Sequence, residues 1–423
     1  MKKYFTFLCM IMVFCSCNHP STTTVHLENP LSLERPDEAF VLTFEQLQHP
    51  DNGSVPAILD EDGNYVPSQL DDLDEDGRWD ELAFVYTLKP HQKADLTVAW
   101  IDKADYPHFT YRTSVRYGKM TSPGKIVALS ADSHGKYDLP RGAGYPYQMD
   151  GIAWENDKMG FRHYFDGRNN RDVFGKRVKD MVLDTVGIQA NGHPGDTYHV
   201  LADWGRDIMS AANSFGLGGL AILSQDSLIR LGVLNEERTD IIDSTFYKLV
   251  VKGPVRSIFQ VRFQGWEVRG RKIDVRETTT IWAGKYGYEN VVETSELPAH
   301  STLVTGIVRN FNDNELVEKK KSDRYTLMMT HDKQTYNKEW YMGMALLLPE
   351  ANVIETFDTP NTGDGIIATW CVKLKPDPTG KIRFNAYAAW ELQDPRFTQS
   401  GFFFDLIEKE ADRLVAPVTI TVH

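Results

Sequence analysis

Cysteine is nearly absent from this chain of 423 residues, which holds only Cys9, Cys15, Cys17 and Cys371. The first three belong to an N-terminal leader region. That leaves Cys371 alone, with no thiol partner for a disulfide and no cysteine-based metal centre. In Thr369-Trp370-Cys371-Val372 it reads as a small buried hydrophobe in a strand. Positive charge is also short, with 46 Lys+Arg against 59 Asp+Glu and a formal net charge of −13. A surface of that sign repels phosphate backbones, which argues against nucleic acid as a partner. Any anionic ligand must then be held by a local basic patch. There is no repeat of fixed period, which counts against propellers and solenoids. The P-loop, zincin and Gly-x-Ser-x-Gly motifs are missing, and with them the local signatures of those chemistries.

What is present begins at the leader. Lys2 and Lys3 precede an apolar stretch from Tyr4 to Phe14, broken only by Thr6 and too short to span a membrane as a mature helix. It runs into Phe14-Cys15-Ser16-Cys17, with a small residue directly before a cysteine. This resembles a bacterial lipoprotein signal, except that Phe14 stands where such signals usually carry Leu. It implies a signal peptide over 1–17, lipidation at Cys17 and a polar tether over 18–28. The expected location is the outer membrane, held by the lipid anchor and facing the periplasm or the cell surface. The absence of an acidic run after Cys17 favours the periplasmic side.

From Thr24 onward, short alternating runs rich in Val, Thr and aromatics recur between turn residues. Phe40–Phe44, Asp95–Trp100, Tyr247–Val251, Thr278–Trp282 and Ile382–Tyr387 are examples, and the chain is predicted to be all-β. Helical spacing is confined to Phe402–Val415 and, more weakly, Asp203–Ser214. Lys319-Lys320-Lys321, flanked by Glu318 and Asp323, reads as a solvated loop. A smaller N-terminal β region over 29–115 and a larger one over 116–423 are expected.

Three segments carry chemistry. Asp72-Leu73-Asp74-Glu75-Asp76-Gly77-Arg78-Trp79-Asp80 places carboxylates at alternate positions, like the start of an EF-hand-type loop. Asp72, Asp74, Asp76 and Asp80 would offer oxygens to a structural Ca²⁺, although Ala83 replaces the closing Glu. The alternative is a solvated acidic turn. In the second block, Lys158, Arg162, Arg168, Arg171, Lys176, Arg177 and Lys179 stand against Asp157, Asp166 and Asp172, a positive excess in an acidic protein. Strand geometry over Phe161–Asp166 would put Arg162, Tyr164 and Asp166 on one face. With Trp154 and Glu155 on the preceding strand, they make a candidate grip for a carboxylated sugar, with Arg168 and Asn169 adjoining. Arg would fork onto the carboxylate and Trp would stack on the ring. An internal Arg–Asp network between sheets is the structural alternative. In the third block His199 follows a polar loop and precedes Trp204-Gly205-Arg206-Asp207. With an ordinary pKa near neutrality, His199 is the best general-base candidate.

These segments, DGIAWENDKMGFRHYFDGRNNRDVFGK, YHVLADWGRDIM, FGLGGLAI and DLDEDGRWDELAF, resemble the domain-of-unknown-function 4861 family over roughly residues 30 to 420. The resemblance implies a galactose-mutarotase-like β-supersandwich and a setting of polysaccharide degradation, with uronate-containing glycans as the expected partner. The expected activity is β-elimination or glycosidic cleavage. In a lyase, Arg162 or Arg168 would neutralise the uronate, His199 would act as base and Tyr164 as acid. In a hydrolase, Glu155 would pair with Asp166 or Asp207. A glycan-binding lipoprotein without catalysis and a mutarotase- or epimerase-like enzyme stand as alternatives.

Overall fold

The computed structural model describes residues 23–47, 53–138, 146–232 and 241–423. The expected signal peptide over 1–17, with Cys17, lies outside them. Strands dominate, and Ser400–Val415 is the single α-helix among the described residues.

Two small sheets form the N-terminal sandwich. One has the order Thr419–Val422, Thr23–Glu28, Lys93–Ile101, Val55–Leu59, and the other Arg35–Thr43, Glu81–Leu88, Ser68–Asp71. Their inward residues alternate along each strand, and Val25, Leu27, Phe40, Phe84 and Leu96 close the core between them. The C-terminal strand returns here, pairing Val25 with Val422. A division at 115/116 therefore does not follow the sheets. It falls inside Thr113–Ser122, a strand of the larger unit.

That larger unit is a β-supersandwich of a nine-stranded, a six-stranded and a five-stranded sheet. One apolar core joins all three, taking Trp154 and Phe161 from the six-stranded sheet, Phe259, Tyr288 and Phe384 from the nine-stranded one, and Leu303 and Val372 from the five-stranded one. In the nine-stranded sheet, Met342–Pro349 is buried on both faces, hence its unbroken apolar run. The helix covers the far face: Phe403, Ile407 and Ala411 recur every fourth residue and pack on Leu327, Met329 and Leu347.

Two local expectations give way. Asp203–Ser214 is not helical; Gly205–Asp207 is an edge strand, pairing Phe174 with Asp207. Gly205 approaches so closely that a Cβ there would lie 1.8 Å from the Gly175 carbonyl oxygen. The lysine run is an edge strand, Val317–Lys321, not a loop. Its lysines pair with Glu408, Glu350 and Asp412, and a lysine-rich edge discourages pairing with other chains.

Candidate functional site

The site grows from the two faces of the six-stranded sheet. Trp154 lies opposite Phe161, and Phe161 opposite Val173, all turned into the core. Ala153, Arg162 and Asp172 are likewise aligned across three strands and therefore face the other way. The segment 177–204 covers this second face, with Leu183, Val186 and Tyr198 packed on Met149, Ala153 and Phe174. A polar sheet face is thus buried, and it survives because its charges are paired.

Arg162 is the hub, its side chain 1% exposed. Its Nη2 donates to Tyr164 Oη at 2.6 Å, to Asp207 Oδ2 at 2.8 Å and to Asp172. Tyr164 Oη in turn donates to Asp172 Oδ2 at 2.9 Å. The guanidinium lies against the rings of Tyr164, Tyr198 and Phe174. Burial, with the neighbouring Asp207 charge, pushes the Asp172 carboxyl up to about 6 against the pull of Arg162. Burial likewise holds the Tyr164 phenol well above its ordinary range.

Beside this hub opens a cavity of about 530 Å³, lined among others by Tyr164, His199, Asp207, Arg168, Arg206 and Arg230. His199 is half exposed, with Nε2 3.6 Å from Asp207 Oδ2. That carboxylate raises the imidazole pKa, and partial burial opposes it. Arg168 lies over the Tyr164 ring, and its Nε donates to Asp166 Oδ2 at 2.7 Å. Arg206 pairs with Glu339. Arg230 is 5% exposed; its Nε donates to the Arg168 carbonyl at 3.0 Å, while its Nη2 has no partner among the described residues. Burial, then the neighbouring Arg168 charge, lowers its guanidinium to about 9.

The structure thus brings together four of the residues picked from the sequence: His199, Tyr164, Asp207 and Arg168. Arg162 lies beneath them and is too buried to grip a ligand itself. Asp166 falls after the end of the Met159–Tyr164 strand, with its side chain fully buried under Arg168. Trp154 offers no ring to a sugar. It is fully buried between Phe161, Phe259 and Tyr288, where truncation to Ala would cost about 3–5 kcal/mol. Glu155 is also fully buried, accepting from Lys176 Nζ and from the backbone N–H groups of Val182 and Leu183. It ties the covering segment down and cannot be half of a hydrolytic pair. Asn169 holds the turn at φ 52, its Oδ1 3.1 Å from His163 Nε2. Trp204 is partly buried against the edge of Phe174.

Arg230, Arg206, Asp172 and Tyr198 are site residues that sequence reasoning missed. Arg206 and Asp172 stood within the segments already singled out; Arg230 had no local signal, lying 62 positions from the carbonyl it contacts.

The acidic loop joins Ser68–Asp71 to Glu81–Leu88. Carboxylate oxygens of Asp72, Asp74 and Asp80 lie within 4.8 Å of one another. An all-oxygen donor set of this kind fits a hard cation. Asp76 is not in the cluster; its Oδ1 accepts the Arg78 N–H at 2.8 Å.

No helix among the described residues is long and apolar enough to cross a membrane. The "Uncharacterized protein P7" of Formosa agariphila is 21% identical over 272 residues, which take in 60% of this chain and 57% of that protein. Among solved structures, an α-mannosidase from Enterococcus faecalis V583 superimposes with a TM-score of 0.47 at 9% identity, over 95% of this chain and 46% of that one. A glycosyl hydrolase family 38 protein from Enterococcus faecalis gives 0.48 at 9% identity, over 95% and 47%. The chain spans about half the length of each of these proteins. Residues 27–420 match a single family model, and the chain belongs to that family, the domain of unknown function DUF4861.

Proposed function

We propose that the protein is a carbohydrate-active enzyme that binds a uronate-bearing glycan in the basic cavity and cleaves it by β-elimination. One observation carries this reading: three guanidiniums, one of them buried with an unpartnered nitrogen, line the same cavity as a half-exposed histidine and a tyrosine. In a protein of net charge −13, such a focus of positive charge suits an anionic ligand. Arg230 and Arg168 would face the carboxylate and disperse the charge that develops when the C5 proton leaves. Neutral His199 takes that proton. The freed electron pair forms the C4–C5 double bond as the C4–O bond breaks, and Tyr164 protonates the departing oxygen. A proton then returns from His199 to Tyr164 through solvent, closing the cycle.

Hydrolysis is the weaker reading, because Glu155, common to both expected carboxylate pairs, is locked under Lys176, and Asp166 is locked under Arg168. The leader and Cys17 support an outer-membrane lipid anchor, and the Asp72–Asp74–Asp80 cluster supports a structural Ca²⁺.

Incubation with a panel of uronate polysaccharides tests the activity. Growth of the ultraviolet absorbance of an unsaturated uronate is the expected result. New reducing ends without that absorbance would mean hydrolysis, and binding with neither would mean a non-catalytic glycan-binding protein.

A further inference from the structure

A second cavity, of about 810 Å³, adjoins the first and differs from it in chemistry. Its lining includes Asp313, Glu315, Glu318 and Asp358 against a single cation, Arg309, together with Asn310, Asn361, Phe311 and Phe357. Arg309 is already engaged by Asp358, and Asp313 by Lys338. The side chains of Glu315 and Asn361 are engaged by no hydrogen bond or ion pair among the described residues, and Glu318 has only a longer-range attraction to Lys320. A negative lining rejects a second uronate, whereas free carboxylates, amides and aromatic faces suit the hydroxyls and ring of an uncharged sugar.

The two cavities share a border of direct contacts. Asn310, in the second, donates from Nδ2 to Ser210 Oγ, in the first, at 2.9 Å. Phe311, in the second, meets Tyr336, in the first, edge to face at 6.1 Å between ring centroids. The Ile367 N–H, next to Ala368 of the second, donates to the carbonyl of Asn213 in the first at 3.1 Å. The aromatic ridge is held on unusual backbone: Phe311 sits at φ 64, and Asn337 and Lys338, just after Tyr336, at φ 62 and 54. Bulky residues rarely adopt that region, and such outliers gather at ligand clamps.

We propose that the two cavities form one bipolar cleft, in which the second holds a neutral sugar adjoining the uronate bound in the first. The inference rests on the proposed uronate site and adds a substrate class: mixed glycans in which uronate and neutral sugar are neighbours, as opposed to uronate homopolymers.

Calorimetry on the full chain separates the two proposals. The probes are an oligosaccharide alternating uronate with neutral sugar, an oligogalacturonate of equal length, and a neutral oligosaccharide. The mixed probe is expected to bind about tenfold more tightly than the oligogalacturonate. The double variant Glu315→Ala/Asn361→Ala changes two exposed side chains, so folding is not at risk. It should erase that preference while leaving oligogalacturonate binding unchanged. Phe311→Ala, checked for an intact melt, should also weaken only the mixed probe. Equal affinity for mixed and uronate-only probes, a preference that survives the double variant, or no binding of any probe would overturn the second subsite. Should the neutral probe bind and the double variant abolish it while uronate neither binds nor reacts, the second subsite stands and the uronate reading falls.

Discussion

Replacement of Arg230 by Met should make the protein more stable and less able to bind the proposed uronate, two effects that an ordinary structural arginine would not combine. The guanidinium is 5% exposed, it leaves Nη2 without a partner among the described residues, and it sits beside a second guanidinium, Arg168. An unsatisfied buried polar group costs about 1–3 kcal/mol, and more when charged. Against this, removing Nε loses the hydrogen bond to the Arg168 carbonyl, worth about 1 kcal/mol. Met fills most of the vacated volume, so little cavity term arises. The balance favours the variant by about 1–2 kcal/mol, a rise in Tm of about 1–2 °C for a chain of this length. Linkage gives the same sign. Burial holds the folded guanidinium down to about 9, well below its range in the unfolded chain, so the fold disfavours the charged form. Stability is lost as pH falls through about 9, and the wild type carries that deficit at neutral pH. A charge-assisted contact to carboxylate contributes about 1.5–3 kcal/mol, so uronate affinity should fall roughly 10- to 150-fold. The assay pairs thermal melts with calorimetry. In the wild type the ligand should also raise Tm by mass action, and in the variant that gain should largely vanish. A variant that melts several degrees lower yet binds as before would refute the reasoning, because Arg230 would then be a satisfied core residue.

His199→Ala should leave binding intact and lower turnover by about 10²–10⁴-fold, read from kcat against Kd. Because Asp207 raises the His199 pKa, the acid limb of the kcat profile should lie above the ordinary histidine value of 6.5, activity being lost as pH falls; Asp207→Asn should move that limb to lower pH. Arg162→Ala leaves Asp172 and Asp207 buried without their cation and should destabilise by about 3–5 kcal/mol in denaturant titration, instead of merely weakening binding. If the acidic loop binds Ca²⁺ as proposed, chelation lowers Tm and Asp74→Ala removes the response. Cys17→Ala should release the protein from the membrane fraction of its host, and a variant that stays there would exclude the lipid anchor.

The sequence made strands and the helix legible because their signals are local. Alternation in Lys93–Ile101, and an apolar contact every fourth residue in Ser400–Val415, arise from neighbours on the same element. Sheet membership is not local. Nothing in Thr419–Val422 itself says that it completes a sheet begun at Thr23, almost the whole chain earlier. The lysine run escaped for a related reason: charge on an edge strand and charge on a loop look alike until the neighbouring strand is known.

The site was half legible for the same physical reason. Basic and aromatic residues between Asp150 and Lys179 mark a place where charge is concentrated, but which face each side chain takes depends on register with strands elsewhere. Trp154 and Glu155 are adjacent and therefore point oppositely, one into the apolar core and the other under the covering segment, so neither reaches the cavity. Arg162 and Tyr164 do share a face, yet the same segment 177–204 that shields Arg162 also delivers His199 to the cavity rim. Burying Arg162 with Asp172 and Asp207 adds little to stability compared with apolar packing, since desolvation offsets most of the attraction. What the network supplies is position. One nitrogen holds the Tyr164 hydroxyl and the Asp207 carboxylate at fixed points, and that carboxylate in turn sets the charge on His199. The buried hub and the exposed rim are therefore one device, and the residue that looked most like a ligand grip is the one that keeps the grip in place.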